Sequence, residues 1–115
     1  MPSSALSQPP LEILSDRASE AHARIQETFQ HINPIVGVSR GMRAIGFPAD
    51  TMTIDCLRTG RRIIMILHDD KPDSVSYQFA LREEDPAEVF EEILLETLTT
   101  ELLFDWIAKY FSEPQ

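Results

Sequence analysis

The stretch that decides the fold is residues 51–82, TMTIDCLRTGRRIIMILHDDKPDSVSYQFALR. Residues 51–57, 62–67 and 75–81 are rich in β-branched and aromatic side chains, and two polar, turn-like segments separate them. The first and third segments alternate apolar and polar residues, which is typical of half-buried strands. The second is apolar on both faces, which is typical of a central strand. The stretch therefore predicts a three- or four-stranded antiparallel meander.

The turn between the first two strands sets their register. Thr59 and Gly60 form a candidate two-residue hairpin loop, because glycine readily adopts the positive φ that such loops need. That loop would place Cys56 opposite Ile63. Opposite residues in antiparallel strands point to the same side, so the main apolar residues of all three strands then share one face. That face comprises Met52, Ile54, Cys56, Ile63, Met65, Leu67, Val75, Tyr77 and Phe79.

The other face of the meander keeps two apolar side chains, Ile64 and Ile66, among threonine, aspartate, serine and glutamine residues. Two interpretations fit this pattern. Either a loop of the same chain lies beside these side chains, or they form part of a surface that a partner or a second copy contacts.

A helix is predicted before the meander, beginning at Pro9-Pro10 and ending at Asn33-Pro34. Its apolar or small residues recur at alternating spacings of three and four, which predicts a narrow apolar stripe. The helix either covers the sheet or pairs with its copy across a dimer. Residues 1–8 are expected to form a disordered tail, and residues 9–115 a single α+β domain. The stripe comprises Leu11, Leu14, Ala18, Ala21, Ile25, Thr28 and Ile32.

Residues 35–50 are ambiguous, because three glycines interrupt any helical pattern. Residues 35–38 are compatible with a short edge strand. The spacing of the glycines does not match a phosphate-binding or dinucleotide-binding loop.

A long C-terminal helix is predicted after the meander. Asp85 suits the N-cap, Pro86 the first helical position, and Glu88 completes a capping-box pattern. The helix could extend to about Phe111, with a possible kink near Thr99, where several threonines weaken helical propensity.

The last part of this helix, residues 102–111, is apolar almost all round. Such a helix is buried deeply in its own chain or between subunits. Because a chain of 115 residues has difficulty covering both sides, a homodimer is expected. The candidate interface residues are Ile64, Ile66, Leu103, Trp106, Ile107 and Tyr110.

Charge is distributed unevenly. The net charge is −9, which argues against nucleic acid or an anionic membrane as the main partner. Residues 83–115 contain ten acidic residues and one lysine, whereas residues 35–65 contain five of the ten basic residues, all arginine. Arginine suits bidentate contact with phosphate or carboxylate, so these five are candidate anion-binding residues. Alternatively, they solvate a turn or pair with the acidic C-terminal helix of the same or a neighbouring subunit. They are Arg40, Arg43, Arg58, Arg61 and Arg62.

No linear motif assigns an enzymatic reaction, a metal or a cofactor. The single cysteine, Cys56, lies on the predicted core face, and it cannot form an internal disulfide, which fits a reducing compartment. The polar turn at residues 68–73 lacks the ligand spacing of a calcium loop. No secretory-signal pattern and no run of about 18–20 apolar residues is present, so a cytoplasmic location is expected.

Two functional hypotheses follow. In the first, the chain is a non-enzymatic interaction or regulatory protein that acts as a homodimer and binds another, unidentified protein. In the second, it is a small anion-binding or nucleotide-binding sensor domain that uses the arginines. An enzyme is a third, weaker hypothesis, because an active site need not show a linear motif.

Overall fold

The structure is a computed structural model that describes residues 9–29 and 31–112. The predicted tail at residues 1–8 lies outside the described residues. The elements, in chain order, are α1 (Pro10–Thr28), β1 (Pro34–Ser39), α2 (Gly41–Ala44), β2 (Ala49–Cys56), β3 (Arg61–His68), β4 (Ser74–Leu81), β5 (Glu91–Leu94) and α3 (Thr100–Ser112).

The strands form one antiparallel sheet in the order β1-β2-β3-β4-β5. The predicted α+β class and the central meander are confirmed. The sheet has five strands rather than three or four, and the additional strands are its two edges. β1 confirms the edge strand that residues 35–38 allowed.

Both long helices pack on one face of the sheet, as the sequence predicts. The apolar stripe of α1 is buried through Leu14, Ala18, Ala21 and Ile25. It shares a core with α3 and with the alternating inward residues of β2, β3 and β4. Cys56 is 2% exposed within this core, as its alternating position predicted.

The register of the β2–β3 hairpin differs from the prediction by two residues. Cys56 pairs with Arg61, and Ile54 pairs with Ile63. The connection has four residues, 57–60, and only its last residue, Gly60, has positive φ (+76°). Hairpin loops of four residues are usually built around a type I turn, unlike the two-residue loop that was expected. The predicted faces survive because a shift of two residues preserves the alternation.

The predicted long C-terminal helix is wrong in its first half. Asp85 does not cap a helix; residues 91–94 instead form β5, in which Ile93 pairs with Val75 of β4. The capping pattern is worth about 1 kcal/mol. Pairing with the backbone of β4 and burying Leu95 and Leu98 outweigh this local preference.

The predicted kink near Thr99 is the beginning of α3. The backbone N–H of Leu102 donates a 3.2 Å hydrogen bond to the Thr99 hydroxyl oxygen. This side chain therefore satisfies one of the amides that a helix leaves unpaired at its first turn. Threonine is a weak helix former but a good cap, which explains why the helix begins there.

A segment of the same chain lies on the sheet face opposite the helices. The side chain of Gln78 accepts a 2.8 Å hydrogen bond from Ala87 N–H and donates 3.0 Å bonds to the carbonyls of Ala87 and Val89. Gln78 is the β4 neighbour of Ile64, which is only 7% exposed. A loop of the same chain beside these side chains, the first interpretation, therefore explains the burial of Ile64. Ile66 is half-buried.

Candidate interaction surface

The five candidate arginines do not form one site. Arg43 contacts Asp50 near the beginning of β2, whereas Arg62 contacts Asp55 near its end. Asp55 lies five residue steps along the strand from Asp50, which corresponds to roughly 17 Å. The arginines therefore divide into two groups: Arg40 and Arg43 lie at one end of the hairpin, and Arg58, Arg61 and Arg62 lie at the other.

Arg43 ties three segments of the chain together. Its guanidinium donates hydrogen bonds of 3.1 and 3.2 Å to the Asp50 carboxylate, and two of 2.8 Å to that of Asp69. These bonds raise the pKa of Arg43 above its ordinary value and lower that of Asp69. Arg43 therefore holds α2 against β2 and the β3–β4 turn, and both edges of its guanidinium are occupied.

Arg62 is also engaged within the fold. It pairs directly across the strands with Asp55 and donates hydrogen bonds of 2.7 and 2.9 Å to its carboxylate. Arg82 approaches the same carboxylate at 3.4 Å. The hydrogen bonds to Asp55 raise the pKa of Arg62. Asp55 and Arg62 flank the same hairpin turn, and the register of the two strands places them opposite each other.

Arg61 joins β3 to α3, and Arg58 lies on the surface. The Arg61 guanidinium donates a hydrogen bond to the carbonyl of Tyr110 and lies 5.2 Å from the centroid of its ring, a cation–π distance. Arg61 is 8% exposed, so it lies at the edge of the core and packs against α3. Arg58 is exposed in the hairpin turn.

The candidate interface residues of α3 have different environments. Leu103 and Ile107 are fully buried in the core of the single chain, so they are not on its surface. Trp106 and Tyr110 are half-buried and belong to an aromatic cluster that also contains Tyr77 and Phe79 of β4.

The aromatic cluster joins α3 to the sheet and is partly open to solvent. The ring centroids of Tyr77 and Trp106 are 4.6 Å apart, and those of Phe79 and Tyr110 are 5.1 Å apart. The Tyr110 hydroxyl donates a 2.8 Å hydrogen bond to the carbonyl of Ala80. These contacts explain the nearly all-apolar composition of α3 largely within one chain, and Phe79 remains 41% exposed.

β1 presents an apolar edge whose residues are not among the interface residues predicted from the sequence. We define the apolar edge as Ile35, Val36 and Val38, whose exposed fractions are 45%, 37% and 49%. The whole strand, Pro-Ile-Val-Gly-Val-Ser, contains no charged residue. Edge strands in soluble proteins usually carry charges or bulges that prevent pairing with another strand. The missing charges are a signal that was already present in the sequence.

The opposite edge of the sheet is protected. β5 has only four residues, and two of them are the acidic residues Glu91 and Glu92. Short length and charge are the usual means of blocking an edge. The contrast between the two edges makes β1 the more accessible site for an additional strand.

A shallow groove lies between α1 and β1. Its volume is about 390 Å³, and it is lined by Ser19, His22, Pro34, Ile35 and Val36. Among the residues that the structure describes, no carboxylate lines this groove. The groove continues the apolar edge onto the helix-bearing face of the sheet.

A polar cleft lies near the beginning of β2, where Asp50 is located, and has a volume of about 260 Å³. Three cationic side chains line it, Arg40, Arg43 and Lys71, with two carboxylates, Asp50 and Asp69. Arg40 approaches Asp50 at 4.0 Å and is largely exposed. The other residues that line the cleft are Pro9, Pro10, Leu11, Leu67, His68 and Pro72.

Residues 9–29 and 31–112 contain neither a group of metal ligands nor a membrane-spanning helix. In this part of the chain, histidine, cysteine, aspartate and glutamate side chains nowhere gather in a group of three or more that could ligate a metal. None of the helices there combines the length and apolarity that crossing a bilayer requires.

No protein-family model, curated protein or solved structure matches the chain.

Proposed function

We propose that this chain is a non-enzymatic interaction or regulatory protein of the cytoplasm that acts as a homodimer and binds a further protein. The observation that supports the proposal is the apolar edge. Three β-branched side chains are 37–49% exposed on an uncharged edge strand. Covering them removes apolar surface from water, which stabilises an assembly by about 25 cal/mol per Å².

The charge of the chain supports the choice of surface. A net charge of −9 opposes association wherever two acidic surfaces meet. β1 and the groove beside it contain no acidic residue, so two copies can meet there with little local repulsion. The acidic residues lie outside that interface. They favour a further protein partner whose binding surface is basic.

The test is the oligomeric state of the chain, measured by size-exclusion chromatography with light scattering at micromolar concentrations. We expect a dimer for the native chain and a monomer for Val38→Lys, because the lysine would lie in the interface. The matched control is Val89→Lys, the same substitution at a 77% exposed position outside β1; it should remain dimeric. A strictly monomeric native chain would contradict the proposal, and thermal unfolding would verify that each variant folds.

An anion- or nucleotide-binding sensor is the second candidate function. The polar cleft supports it, because three cations and two carboxylates line that cleft. Within the cleft, Arg40 is the arginine with the most exposed guanidinium, since Arg43 is bound on both edges. A binding function at this site would therefore depend on Arg40 and Lys71.

Thermal unfolding with nucleotides, sugar phosphates and inorganic phosphate tests this second function. A ligand at 100 times its dissociation constant stabilises the folded chain by about 2.7 kcal/mol. The stabilisation should disappear in Arg40→Gln/Lys71→Gln and persist in Arg58→Gln, which changes an arginine at the far end of the hairpin. No stabilisation by any of these compounds would reject the sensor function.

A further inference from the structure

We infer that the homodimer forms by antiparallel pairing of β1 with β1 of a second copy, so that two five-stranded sheets become one continuous sheet. The two-fold axis passes at Gly37. This inference rests on the proposed homodimeric function and adds its geometry.

Register within the chain assigns those faces. Val36 pairs with Ile54, and Val38 pairs with Met52. Ile54 and Met52 point into the core beneath the helices. Paired residues of antiparallel strands point to the same side, so Val36 and Val38 lie on the helix-bearing face and Ile35 lies on the other. The helices leave both valines partly exposed.

Symmetry restricts where the axis can lie. In a two-fold pair of antiparallel strands, residues opposite each other must point to the same face, so the axis passes where a residue faces its own copy. An axis at Val36 would bring Pro34, which has no amide hydrogen, into the new ladder. An axis at Val38 would place Arg40 opposite Val36.

An axis at Gly37 avoids both problems. Val36 of each copy then faces Val38 of the other, which assembles four valines on the helix-bearing face. Pairs of β-branched side chains stabilise sheets when they face each other across strands. Gly37 faces its own copy across the axis. Ile35 faces Ser39 of the other copy.

The other edge of the sheet is less suited to self-pairing. Joining β5 to its own copy would bring Glu91 and Glu92 close to the same residues of the second chain, where like charges repel. β1 has no such residue. A chain of this net charge therefore meets its own copy at the lowest electrostatic cost through β1.

The surroundings of β1 enlarge the contact. A stable interface buries about 800 Å² on each partner, which is more than a six-residue strand supplies. The groove beside β1 supplies further surface through Ser19 and His22 of α1. The segment that connects β1 to β2 also carries two exposed apolar side chains, Ile45 (74% exposed) and Phe47 (56% exposed).

Register-specific disulfide formation tests the geometry in the full chain. Opposite Cα atoms in an antiparallel pair lie about 4.5–5.5 Å apart, within disulfide range. We expect an equimolar mixture of Val36→Cys and Val38→Cys to form a cross-linked dimer under mild oxidation. Val36→Cys alone should not, because its two cysteines would lie roughly 8 Å apart. Gly37→Cys alone should cross-link, and its new Cβ would meet Thr53 Oγ1 at 3.4 Å, an ordinary contact.

The native chain is the control, since its only thiol, Cys56, is buried. A dimer whose cross-linking does not follow this register would overturn the inference about β1 and leave the proposed homodimer standing. A native chain that is monomeric would overturn both. If Gly37→Cys fails to fold, the mixed pair still decides the register, because both of its substitutions lie at partly exposed positions.

Discussion

At the scale of single residues, the arginines stabilise the fold. Arg43 and Arg62 each bind carboxylates on neighbouring segments with paired hydrogen bonds. The planar guanidinium matches a carboxylate in this geometry, which a lysine ammonium does not. The sequence allowed ion pairs for these arginines, but the expected partner, the acidic C-terminal helix, is not the one observed: Arg43 binds Asp50 and Asp69, and Arg62 binds Asp55.

Replacing Asp55 by alanine should destabilise the chain. Asp55 is 8% exposed and accepts hydrogen bonds from Arg62, with Arg82 also close by. Hydrogen bonds to charged groups contribute about 1.5–3 kcal/mol, and we expect a loss of that size in the free energy of unfolding in urea. Asp70→Ala, at an exposed turn position, should change it by less than about 0.5 kcal/mol. Equal losses in the two variants would contradict the role of Asp55.

Asp69 should make the stability depend on acid pH. The hydrogen bonds from Arg43 lower the pKa of Asp69 below its ordinary value of 3.8. The ionised carboxylate therefore stabilises the folded chain above pH 3.8, and this stabilisation is lost as the pH falls through the lower, folded-state value.

The variant Asp69→Asn tests this dependence. It should be less stable than the native chain at neutral pH, and the difference should shrink in unfolding measurements below about pH 3.8. Asp70→Asn serves as the control and should show no such convergence. A difference that stays constant or grows in acid would exclude the Asp69 carboxylate as its source.

At the scale of elements, β5 shows tertiary pairing overriding a local helix signal. Residues 85–96 contain a capping pattern and several glutamates, all of which favour a helix. However, residues Ser74–Tyr77 on the outer edge of β4 have backbone N–H and C=O groups that need partners. A strand at residues 91–94 can pair with these groups, whereas a helix cannot. The helix begins only beyond Leu98, which is buried in the core, and Thr99, whose hydroxyl caps the first turn.

Two substitutions at Glu92 distinguish strand from helix in this segment. Glu92→Thr and Glu92→Ala both remove the carboxylate that lies 3.4 Å from Lys71, so their difference reports the backbone preference. In a strand, threonine should be the more stable by up to about 1 kcal/mol, measured as the free energy of unfolding. In a helix the order reverses, so a more stable alanine variant would contradict β5.

At the scale of the whole molecule, the apolar edge and the acidic charge act in opposition. Two chains of net charge −9 form a dimer of −18, twice that value, and long-range repulsion opposes their association. The apolar contact is short-ranged and is not screened by salt. Association therefore depends on how far the repulsion extends into solution.

Raising the salt concentration should strengthen the dimer. Between about 0.02 and about 0.3 M salt, the screening length falls from more than 20 Å to below 8 Å. We expect the dissociation constant, measured by analytical ultracentrifugation, to decrease over this range. Val38→Lys should remain monomeric throughout. A dimer that weakens with salt would indicate that ion pairs, rather than apolar contacts, hold the copies together.

Much of the central sheet could be predicted from local pattern. The three inner strands were predicted to within two residues at either end, because period-two alternation is imposed by burial of one face. The stripe of α1 was recognisable because the helical period is equally direct. The prediction of edge strand β1 was weaker, because its glycine and its exposed side chains interrupt the alternation of apolar and polar residues.

The sequence by itself determined which side chains point inward on β2, β3, β4 and α1, because burial alternates with a period that the chain displays directly. The tertiary structure alone decided the hairpin register, the strand at Glu91–Leu94 and the partners of Arg43, Arg61 and Arg62. Several of these contacts join residues distant in the chain, such as Arg43 with Asp69. Their energies arise only when the sheet has brought both partners together, so no local pattern records them.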